Sequence, residues 1–370
     1  MNKTALMYAP LFGQYDAGKG YLAFPAGLEP LMTDSDYYDT HERVSDAYTL
    51  LQRSGLIHKL ISLSPTMVDE SVFKLAHSDA YIERLKQVSS QGGGSVGKFA
   101  QLGAGGFEVL RLATGGDLKA LEAVMSGKVH NAFCLQHPPA AHAEYDQGLG
   151  FCIINNFNIL AKTALQKYGL KRVMVVDFDN HYKYPLEQMW YDSDEVLYIE
   201  TNQTGQINMA LHCDSLPENI GTGRGTGYNV PIPLPSGAGD PAYVKAFAEI
   251  VVPIAKQYQP EFILLVAGYA SNMFDPLCRQ QVTANGYYQM TKLITEVADE
   301  VCGGRLVAIL EGGKGNYMSY CIGKTIEAML GVESTIPDPI ENLFNAVKLT
   351  PDEAAAIENV KRIQRSHWQL

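Results

Sequence analysis

The chain alternates between short, continuous apolar runs and longer segments in which apolar residues recur at helical spacing. A short apolar run bounded by polar groups predicts a buried parallel strand. Such runs lie at 4–8, 59–63, 132–135, 173–177, 196–200, 262–267 and 306–310. Helical spacing occurs at 39–54, 68–76, 79–89, 105–124, 155–168, 241–257, 285–300, 317–329 and 352–365. Strands that alternate with helices indicate an α/β fold with a mostly parallel sheet and helices on both faces.

Glycines and long loops divide this pattern. Gly115 and Gly116 are predicted to split 105–124 into a pair of helices, and the glycines of 91–98 predict a loop. Long loops at 91–104, 136–152, 201–228, 268–283 and 311–316 each adjoin the end of a strand or the start of a helix. Loops of this length in a compact domain are usually functional. Because no linker-like segment is present, we expect one domain over 1–370.

Three polar side chains come directly at the end of the predicted strand at 173–177. Asp177, Asp179 and His181 are spaced by two residues, so in an extended chain they point to the same side. Ligands of open α/β sheets bind at the carboxyl ends of the strands. Two carboxylates and an imidazole at such a place form either a cation site or a satisfied hydrogen-bond network, and the spacing alone favours the cation site.

Composition and charge narrow the range of functions. The net charge of −11 and the lack of a basic stripe argue against nucleic acid as the main partner. No apolar run reaches the roughly 18 residues of a membrane span, and the first residues are not typical of a secretion signal. The cysteines, at 134, 152, 213, 278, 302 and 321, form no C-x-x-C pair. This pattern predicts free buried thiols and a cytoplasmic location.

Five segments carry most of the chemistry-bearing residues. They lie at 137–156, 177–188, 221–235, 267–283 and 311–315, and they begin H-P-P-A-A-H, D-F-D-N-H-Y-K-Y-P-L, G-T-G-R-G-T-G, A-G-Y-A-S-N and E-G-G-K-G. With G-A-G-G-F-E-V-L-R-L-A at 103–113, they resemble the histone deacetylase and acetylpolyamine amidohydrolase family, most closely its bacterial class II-like members. The resemblance covers nearly the whole chain, from residue 5 to residue 365, with the segments in the family's order.

The resemblance implies a fold, an activity and an assembly. The fold would be the three-layer α/β/α arginase and deacetylase fold, with helices on both faces of an eight-stranded, mostly parallel sheet. The activity would be zinc-dependent hydrolysis of N-acyl-lysine or acetylpolyamine amides, which makes the expected partner a small molecule. Because bacterial class II-like members are often dimers or tetramers, a homo-oligomer is the corresponding expectation.

Only part of the family's metal site is retained. Asp179 and His181 match the first two zinc ligands, whereas the third ligand, an aspartate, falls on Ala270. Catalytic zinc takes about three protein ligands, so two would bind Zn²⁺ weakly. Oxygen-bearing residues that are candidate replacements are Asn272, Asp275 and Glu187. For Asp177, the alternatives are support of the strand end and binding of a monovalent cation such as K⁺, as in the family.

Two catalytic positions of the family also differ. The tandem histidine pair, the general acid and base of the family, falls on Ala141 and His142, so one imidazole is missing. The tyrosine that polarises the acyl carbonyl falls on Lys314. We expect Lys314 to pair with an acidic neighbour such as Asp179 and so to substitute electrostatically for the ion. Binding of an anionic substrate group and a desolvated, nucleophilic or basic amine are the alternatives.

The segment that begins at His181, the residue that matches the family's metal-binding histidine, differs from the family's sequence at most positions. The family's H-H-G-N-G-T reads H-Y-K-Y-P-L here, which places Lys183 at the glycine and Tyr184 where a residue would orient His142. Lys183 would repel a zinc ion, or neutralise the carboxylates where no metal balances them. Tyr182 and Tyr184 indicate a reshaped pocket. Phe151, which lines the acyl-lysine channel in the family, is retained.

Three functional hypotheses follow. The favoured one is an enzyme with altered chemistry on a small, anion-bearing metabolite, with His142, Lys314, Lys183 and Tyr182 as its catalytic residues. The second is a catalytically inactive pseudo-deacetylase that binds or regulates. The third is a zinc-dependent N-acyl amide hydrolase with a substitute third metal ligand.

Overall fold

The computed structural model describes residues 1–18, 39–205, 215–341 and 348–370. Within these residues the strands are β1 (Thr4–Met7), β2 (Ile61–Leu63), β3 (Gly93–Lys98), β4 (Ala100–Gly103), β5 (Asn131–Cys134), β6 (Gly148–Leu149), β7 (Val173–Asp177), β8 (Val196–Gln203), β9 (Asn229–Leu234), β10 (Phe262–Ala267) and β11 (Leu306–Leu310). Eight of these described strands form one parallel sheet in the order β2-β1-β5-β11-β10-β7-β8-β9. The remaining three, β4, β3 and β6, form a small separate sheet.

Helices cover both faces of the large sheet. In the described residues they are α1 (Glu42–Arg53), α2 (Asp79–Ser90), α3 (Gly106–Met125), α4 (Asn156–Tyr168), α5 (Tyr184–Trp190), α6 (Asp240–Ala246), α7 (Val252–Tyr258), α8 (Ala284–Cys302), α9 (Tyr317–Leu330) and α10 (Pro351–Gln364). Helix α9 packs on α1 and α8, and α8 also packs on α6 and α7. Helices α3 and α4 pack on each other and on strands of the sheet. The predicted three-layer α/β/α fold is therefore confirmed.

The register of the central strands brings three loops together. Asp177, the last residue of β7, pairs with Glu200 of β8, and Ala267 of β10 pairs with Leu310 of β11. Strand β10 also pairs with β7, so these strands are neighbours in the sheet. Because parallel strands end at the same edge, the chain segments that follow β7, β10 and β11 leave the sheet side by side.

The strand that carries the polar cluster is deeply buried. Every residue of β7 is at most 1% exposed, as are all residues of β10 and β11. Burial of one Val, Ile or Leu side chain contributes roughly 1.5–3 kcal/mol, so these apolar runs hold the polar loops firmly at the sheet edge.

Strand β9 was not predicted. The sequence analysis placed 221–235 in a loop, and Pro231 and Pro233 in it lack the N–H groups that a central strand needs. In the structure β9 is the edge strand of the sheet and pairs only with β8 among the described residues. An edge strand uses the hydrogen-bonding groups of one side only, so proline is tolerated there.

The glycine-rich segments also differ from prediction. Helix α3 runs without interruption through Gly115 and Gly116, where the close approach of Thr66 and Met7 leaves no room for a β-carbon. The glycines are therefore packing residues and not helix breaks. The predicted loop at 91–98 forms β3, which pairs with β4 and β6.

Two predicted α-helices have other hydrogen-bond patterns. The segment at 68–76 contains the 3₁₀ turn Glu70–Leu75. The segment at 241–257 consists of α6 and α7, joined by the π turn Phe247–Val251. Pro253 lies in the first turn of α7 and has no N–H to donate back, which explains why the regular α pattern changes just before it.

Two further sequence predictions concern thiols and membranes. The cysteines within the described ranges, at 134, 152, 278, 302 and 321, are free and buried, as predicted. Cys213 and the 206–214 part of the predicted loop lie outside the described residues. A search of the described helices finds none with the length and apolar character needed to cross a bilayer.

Candidate functional site

The candidate site lies where the segments after β7, β10 and β11 meet. Asp177 ends β7, and Asp179 and His181 follow it. Ala270 follows β10, and Glu311 comes directly after β11. The structure therefore brings together the side chains that the sequence analysis placed at one strand end, and it adds Glu311 to them.

The centre of this site is the ammonium of Lys183. Its Nζ donates to Oδ2 of Asp179 at 2.6 Å and to the carbonyl oxygen of His181 at 2.9 Å. The same nitrogen lies 3.3 Å from Oε2 of Glu311 and 3.9 Å from Oδ2 of Asp177. These four charged side chains are between 0% and 2% exposed, so one ammonium is buried among three carboxylates. We call Lys183 and its three carboxylate neighbours the Lys183 cluster.

The local chain conformation explains why Lys183 points inward. Oδ1 of Asp177 accepts a hydrogen bond from the backbone N–H of Asp179 at 2.7 Å, which bends the chain just after β7. The hydroxyl of Thr201 donates to the carbonyl oxygen of Asp179 at 2.9 Å. The N–H of Lys183 donates to Oε2 of Glu200 at 3.2 Å. Lys183 is then the residue just before α5, whose first turn contains Pro185.

The charges of the Lys183 cluster are unevenly distributed. Burial opposes ionisation of Asp179, but the nearby Lys183 ammonium and His181 hold its pKa well below the usual value. Burial likewise opposes the charge of Lys183, but Asp179, Glu311 and Asp177 hold its pKa well above normal. Burial raises the pKa of Asp177 and of Glu311. Asp179 and Lys183 are therefore the two groups whose charged forms the cluster favours.

This charge state bears on the predicted roles of the two lysines. A nucleophilic or basic amine must be unprotonated, and a lysine whose pKa is raised does not supply one. The ion pair with Asp179 that was predicted for Lys314 is made by Lys183 instead. Lys314 is half-buried, its backbone N–H donates to Oδ2 of Asp275 at 2.9 Å, and its charge helps to lower the pKa of Glu42.

The remaining residues do not form a zinc site. Zinc needs about three nitrogen, oxygen or sulfur ligands around one point. Here Oδ2 of Asp179 binds the Lys183 ammonium and Oδ1 accepts the N–H of Ala270 at 3.0 Å, and Ala270 itself offers only a methyl group. Among the described residues, no group of three His, Cys, Asp or Glu side chains is arranged to hold a metal ion. The side chains present therefore do not fit Zn²⁺.

The proposed substitute ligands are engaged elsewhere. Asn272 donates to the carbonyl of Tyr269 at 2.7 Å and accepts from the N–H of Phe274 at 3.0 Å. Asp275 accepts backbone N–H groups with both oxygens. Glu187 accepts from the Tyr182 hydroxyl at 2.7 Å and from Asn229 at 2.8 Å. None of the three replaces the missing aspartate.

A small cavity lies beside the Lys183 cluster. Its volume is about 20 Å³, and its described lining includes Asp179, Glu311, His142, His181, Phe151, Ala270 and Leu277. The rings of His142 and His181 are edge to face, with centroids 6.4 Å apart. His181 is 7% exposed, and its Nε2 has no hydrogen-bond partner among the described residues. The cavity thus combines apolar walls with two histidine rings.

The two predicted tyrosines lie outside this cavity. Their rings contact each other with centroids 6.2 Å apart. The Tyr182 hydroxyl is bound to Glu187, and Tyr184 lines a separate surface cleft with Pro185 and Met189. Of the predicted substrate-channel residues, Phe151 alone is therefore brought to the cavity.

Sequence reasoning missed a second buried ion pair beside the cavity. Oδ2 of Asp39 lies 2.9 Å from Nε2 of His137, and the Arg43 guanidinium binds both Asp39 and the carbonyl oxygen of Glu311. Burial opposes the charge of Asp39, but His137 and Arg43 hold its pKa below the usual value. Arg43 lies in a predicted amphipathic helix, where a charged residue normally faces solvent, so the pattern gave no signal. Glu311 could have been found, because it comes directly after a run of apolar residues, as Asp177 does.

Comparison with known proteins gives a consistent result. A histone deacetylase domain matches residues 37–330. The histone deacetylase-like amidohydrolase of Pseudomonas aeruginosa is 34% identical over 346 residues, which are 92% of this chain and 90% of that protein. A probable deacetylase of Archaeoglobus fulgidus is 33% identical over 342 residues, 90% of this chain and 93% of that protein. The crystal structure of the HDA15 HD domain has the same fold, with a TM-score of 0.84, 23% identity, and coverage of 99% of this chain and 95% of that one.

Proposed function

The chain belongs to the histone deacetylase family, and we propose that it binds a small acyl-amine ligand in the family's pocket without zinc-dependent hydrolysis. One observation carries this proposal: Nζ of Lys183 lies 2.6 Å from Oδ2 of Asp179, on a carboxylate that the family uses for zinc. An ammonium at this place repels a divalent cation. The chain would therefore retain the lining of the family's binding site, around a cavity that must widen from about 20 Å³ to admit the ligand, and not its hydrolytic chemistry.

The losses around the cavity support the same proposal. Amide hydrolysis requires activation of a water molecule and stabilisation of the oxyanion that forms. Ala270 offers no ligand, Ala141 no imidazole, and position 314 carries an ammonium in place of a phenol. These three changes remove a metal ligand, a general acid or base and an oxyanion-stabilising group, and no residue of the described site replaces them.

The lining of the cavity, once the cavity has opened beyond the space of about one water molecule, suits an acyl-amine as the ligand. Phe151 and Leu277 give it apolar walls, and Nε2 of His181 would accept an amide N–H in the tautomer that carries its proton on Nδ1, beside Asp179. Relatives of the chain include proteins named polyamine deacetylase, such as the human HDAC10, which is 30% identical over 338 residues. Acetylated amines are therefore the first ligands to test.

The experiment combines binding, turnover and metal content. Calorimetry with N-acetyl-lysine methylamide and N-acetylputrescine should give saturable binding, whereas no acetate should be released and the purified protein should contain no stoichiometric zinc. Phe151→Ala should weaken binding at least about tenfold, because it removes an apolar wall. Met67→Ala, a change at an exposed residue outside the cavity lining, is the matched control and should bind normally. Stoichiometric zinc together with acetate release would refute the proposal.

A second candidate function is an enzyme with altered chemistry on a small anionic metabolite. It is favoured by one observation, namely that His142 and His181 face each other across the same cavity with ring centroids 6.4 Å apart. Two imidazoles so placed are able to act as an acid and a base. If this function is correct, small carboxylates should stabilise the protein against heat, and His142→Gln should abolish turnover of the stabilising compound without abolishing its binding.

A further inference from the structure

We infer that Lys183 is a tethered counter-cation, that Ala270 is its coupled partner, and that the site becomes a divalent-cation site when both positions are changed. The inference deepens the proposed function and rests on the metal-independence that the function assumes. It concerns a single buried carboxylate and the two residues that decide which cation this carboxylate takes.

The Lys183 cluster holds several ionisable groups in a buried place. Three carboxylates lie within 3.9 Å of one ammonium, and none of the four side chains is more than 2% exposed. An uncompensated buried charge is strongly unfavourable, so a cation must be present if Asp179 is to remain ionised. Lys183 supplies this cation from within the chain.

The Lys183 ammonium lies on the carboxylate oxygen that a metal ion would use. Oδ2 of Asp179 is approached by Nζ of Lys183 at 2.6 Å and by Nδ1 of His181 at 3.8 Å. A metal ion held by Asp179 and His181 would share this oxygen, and it would therefore lie within a few ångströms of a full positive charge. Two cations at such a distance repel strongly in a buried site, so the ammonium and a metal ion exclude each other.

The presence of Lys183 accounts for a small, uncharged residue at position 270. Its N–H donates to Oδ1 of Asp179 at 3.0 Å, and the residue is 1% exposed and lines the cavity beside Asp179 and His181. An aspartate here would add another buried carboxylate to a cluster that has a single ammonium. With Lys183 present, a small uncharged residue at position 270 is therefore the compatible choice, whereas with a metal ion present a carboxylate is.

The test is a zinc titration of four proteins: the native chain, Lys183→Gly, Ala270→Asp and the double variant. Glycine at 183 removes the ammonium, and aspartate at 270 completes a set of three ligands with Asp179 and His181. The double variant should bind one Zn²⁺ per chain and should be stabilised against heat by it. Each single variant should bind at least 100-fold more weakly, because one retains the ammonium and the other has two ligands only.

Defined outcomes would overturn this inference. If Ala270→Asp alone binds zinc as tightly as the double variant, Lys183 is not the barrier. If the double variant is folded by circular dichroism and binds no zinc, the site is not a latent metal site. Zinc in the native chain would refute the proposed function together with the inference, whereas the two results above overturn the inference alone, so the failures are distinguishable.

A second measurement covers the case in which Lys183→Gly does not fold. Lys183→Met should lower the Tm of the native chain, because the Asp179 carboxylate loses its counter-charge. Adding Asp179→Asn should restore most of this loss, because the introduced amide has no charge to balance and its oxygen is able to accept the N–H of Ala270. Strictly additive losses in the double variant would contradict the coupling.

Discussion

At the residue scale, two buried carboxylates are accommodated in opposite ways. Asp179 keeps its charge because the Lys183 ammonium lies 2.6 Å away. Asp117 is fully buried and accepts a hydrogen bond from Asn156 at 2.7 Å. Burial raises the pKa of Asp117 to about 8, although hydrogen bonds with Cys134, Asn156 and Gln136 oppose the rise. Asp117 is therefore protonated in the native protein at neutral pH and ionised in the unfolded chain.

Asp117→Asn should make the stability less sensitive to pH. Because the folded-state pKa is raised, the native protein should lose stability as the pH rises from about 4 to about 8. A difference of one bound proton over three pH units changes the free energy of unfolding by about 4 kcal/mol. The native protein should lose this amount between pH 5 and pH 8, and Asp117→Asn should not. Chemical denaturation at both pH values measures it. Asp46→Asn, at an exposed position, should leave the pH dependence unchanged, and an equal effect of the two variants would count against the assignment.

His77 is the corresponding case of a buried base. Its Nδ1–H donates to the carbonyl of Glu144 at 2.8 Å, and its Nε2 accepts the N–H of Asn155 at 2.9 Å. Both nitrogens are therefore used by a neutral ring, and burial lowers the pKa of His77 to about 4. The stability that this residue contributes is present above about pH 6.5 and is lost as the pH falls toward 4.

His77→Gln should therefore flatten the acid side of the stability profile. The native protein should lose about 3 kcal/mol from this residue between pH 6.5 and pH 4, because its proton is bound in the unfolded state first. The variant should lack this part of the loss, as measured by urea denaturation at several pH values. His58→Gln, at an exposed residue, provides the comparison. An unchanged acid slope in His77→Gln would exclude the proposed role.

At the scale of elements, the two glycines in α3 determine how closely that helix approaches its neighbours. A β-carbon at Gly115 would overlap the backbone carbonyl of Thr66, whereas one at Gly116 would meet the flexible end of the Met7 side chain. A backbone group cannot move aside without displacing its segment, but a methionine side chain is able to change rotamer. Adjacent residues in one helix thus differ in what they tolerate.

Gly115→Ala should destabilise the protein more than Gly116→Ala. Overpacking typically costs about 1–3 kcal/mol, so we expect at least about 3 kcal/mol at Gly115 and about 1 kcal/mol at Gly116. Both substitutions raise helix propensity equally, which makes each the control for the other. Unfolding by guanidinium chloride gives both values. Equal losses, or a gain at Gly115, would mean that α3 does not pack against Thr66 as described.

Among the secondary-structure elements, the sequence predicted the positions of the central strands better than the tertiary contacts between elements. The apolar runs of β7, β10 and β11 were located because buried parallel strands have a distinct pattern. Strand β9 was missed because its prolines are acceptable only at a sheet edge, and edge position depends on the whole topology. The glycines of α3 were misread for a similar reason, since the residues that approach them come from distant segments.

At the scale of the whole molecule, the structure brings Asp179, His181 and Ala270 together as expected, and it gives the ion pair with Asp179 to Lys183 instead of Lys314. The order of motifs identified the loops, and parallel topology then explains why Asp179, His181 and Ala270 meet. Neutralisation of the carboxylates by Lys183 was one of the alternatives, but its choice over Lys314 as the direct partner of Asp179 depends on the turn after β7 and on the direction of one long side chain. The contribution of Arg43 depends in the same way on tertiary packing.

The tethered ammonium has a consequence for the whole protein under changing supply of metal. A bound ion is in exchange with the medium, and a chelator removes it by mass action, so a metalloprotein loses stability when the free concentration falls. Lys183 is covalently part of the chain and has no dissociation constant toward the solution. The melting temperature of the purified protein should thus be the same in buffer, in excess EDTA and after expression in cells starved of zinc. If the proposed function is correct, the protein therefore keeps its ligand-binding state when the supply of zinc falls.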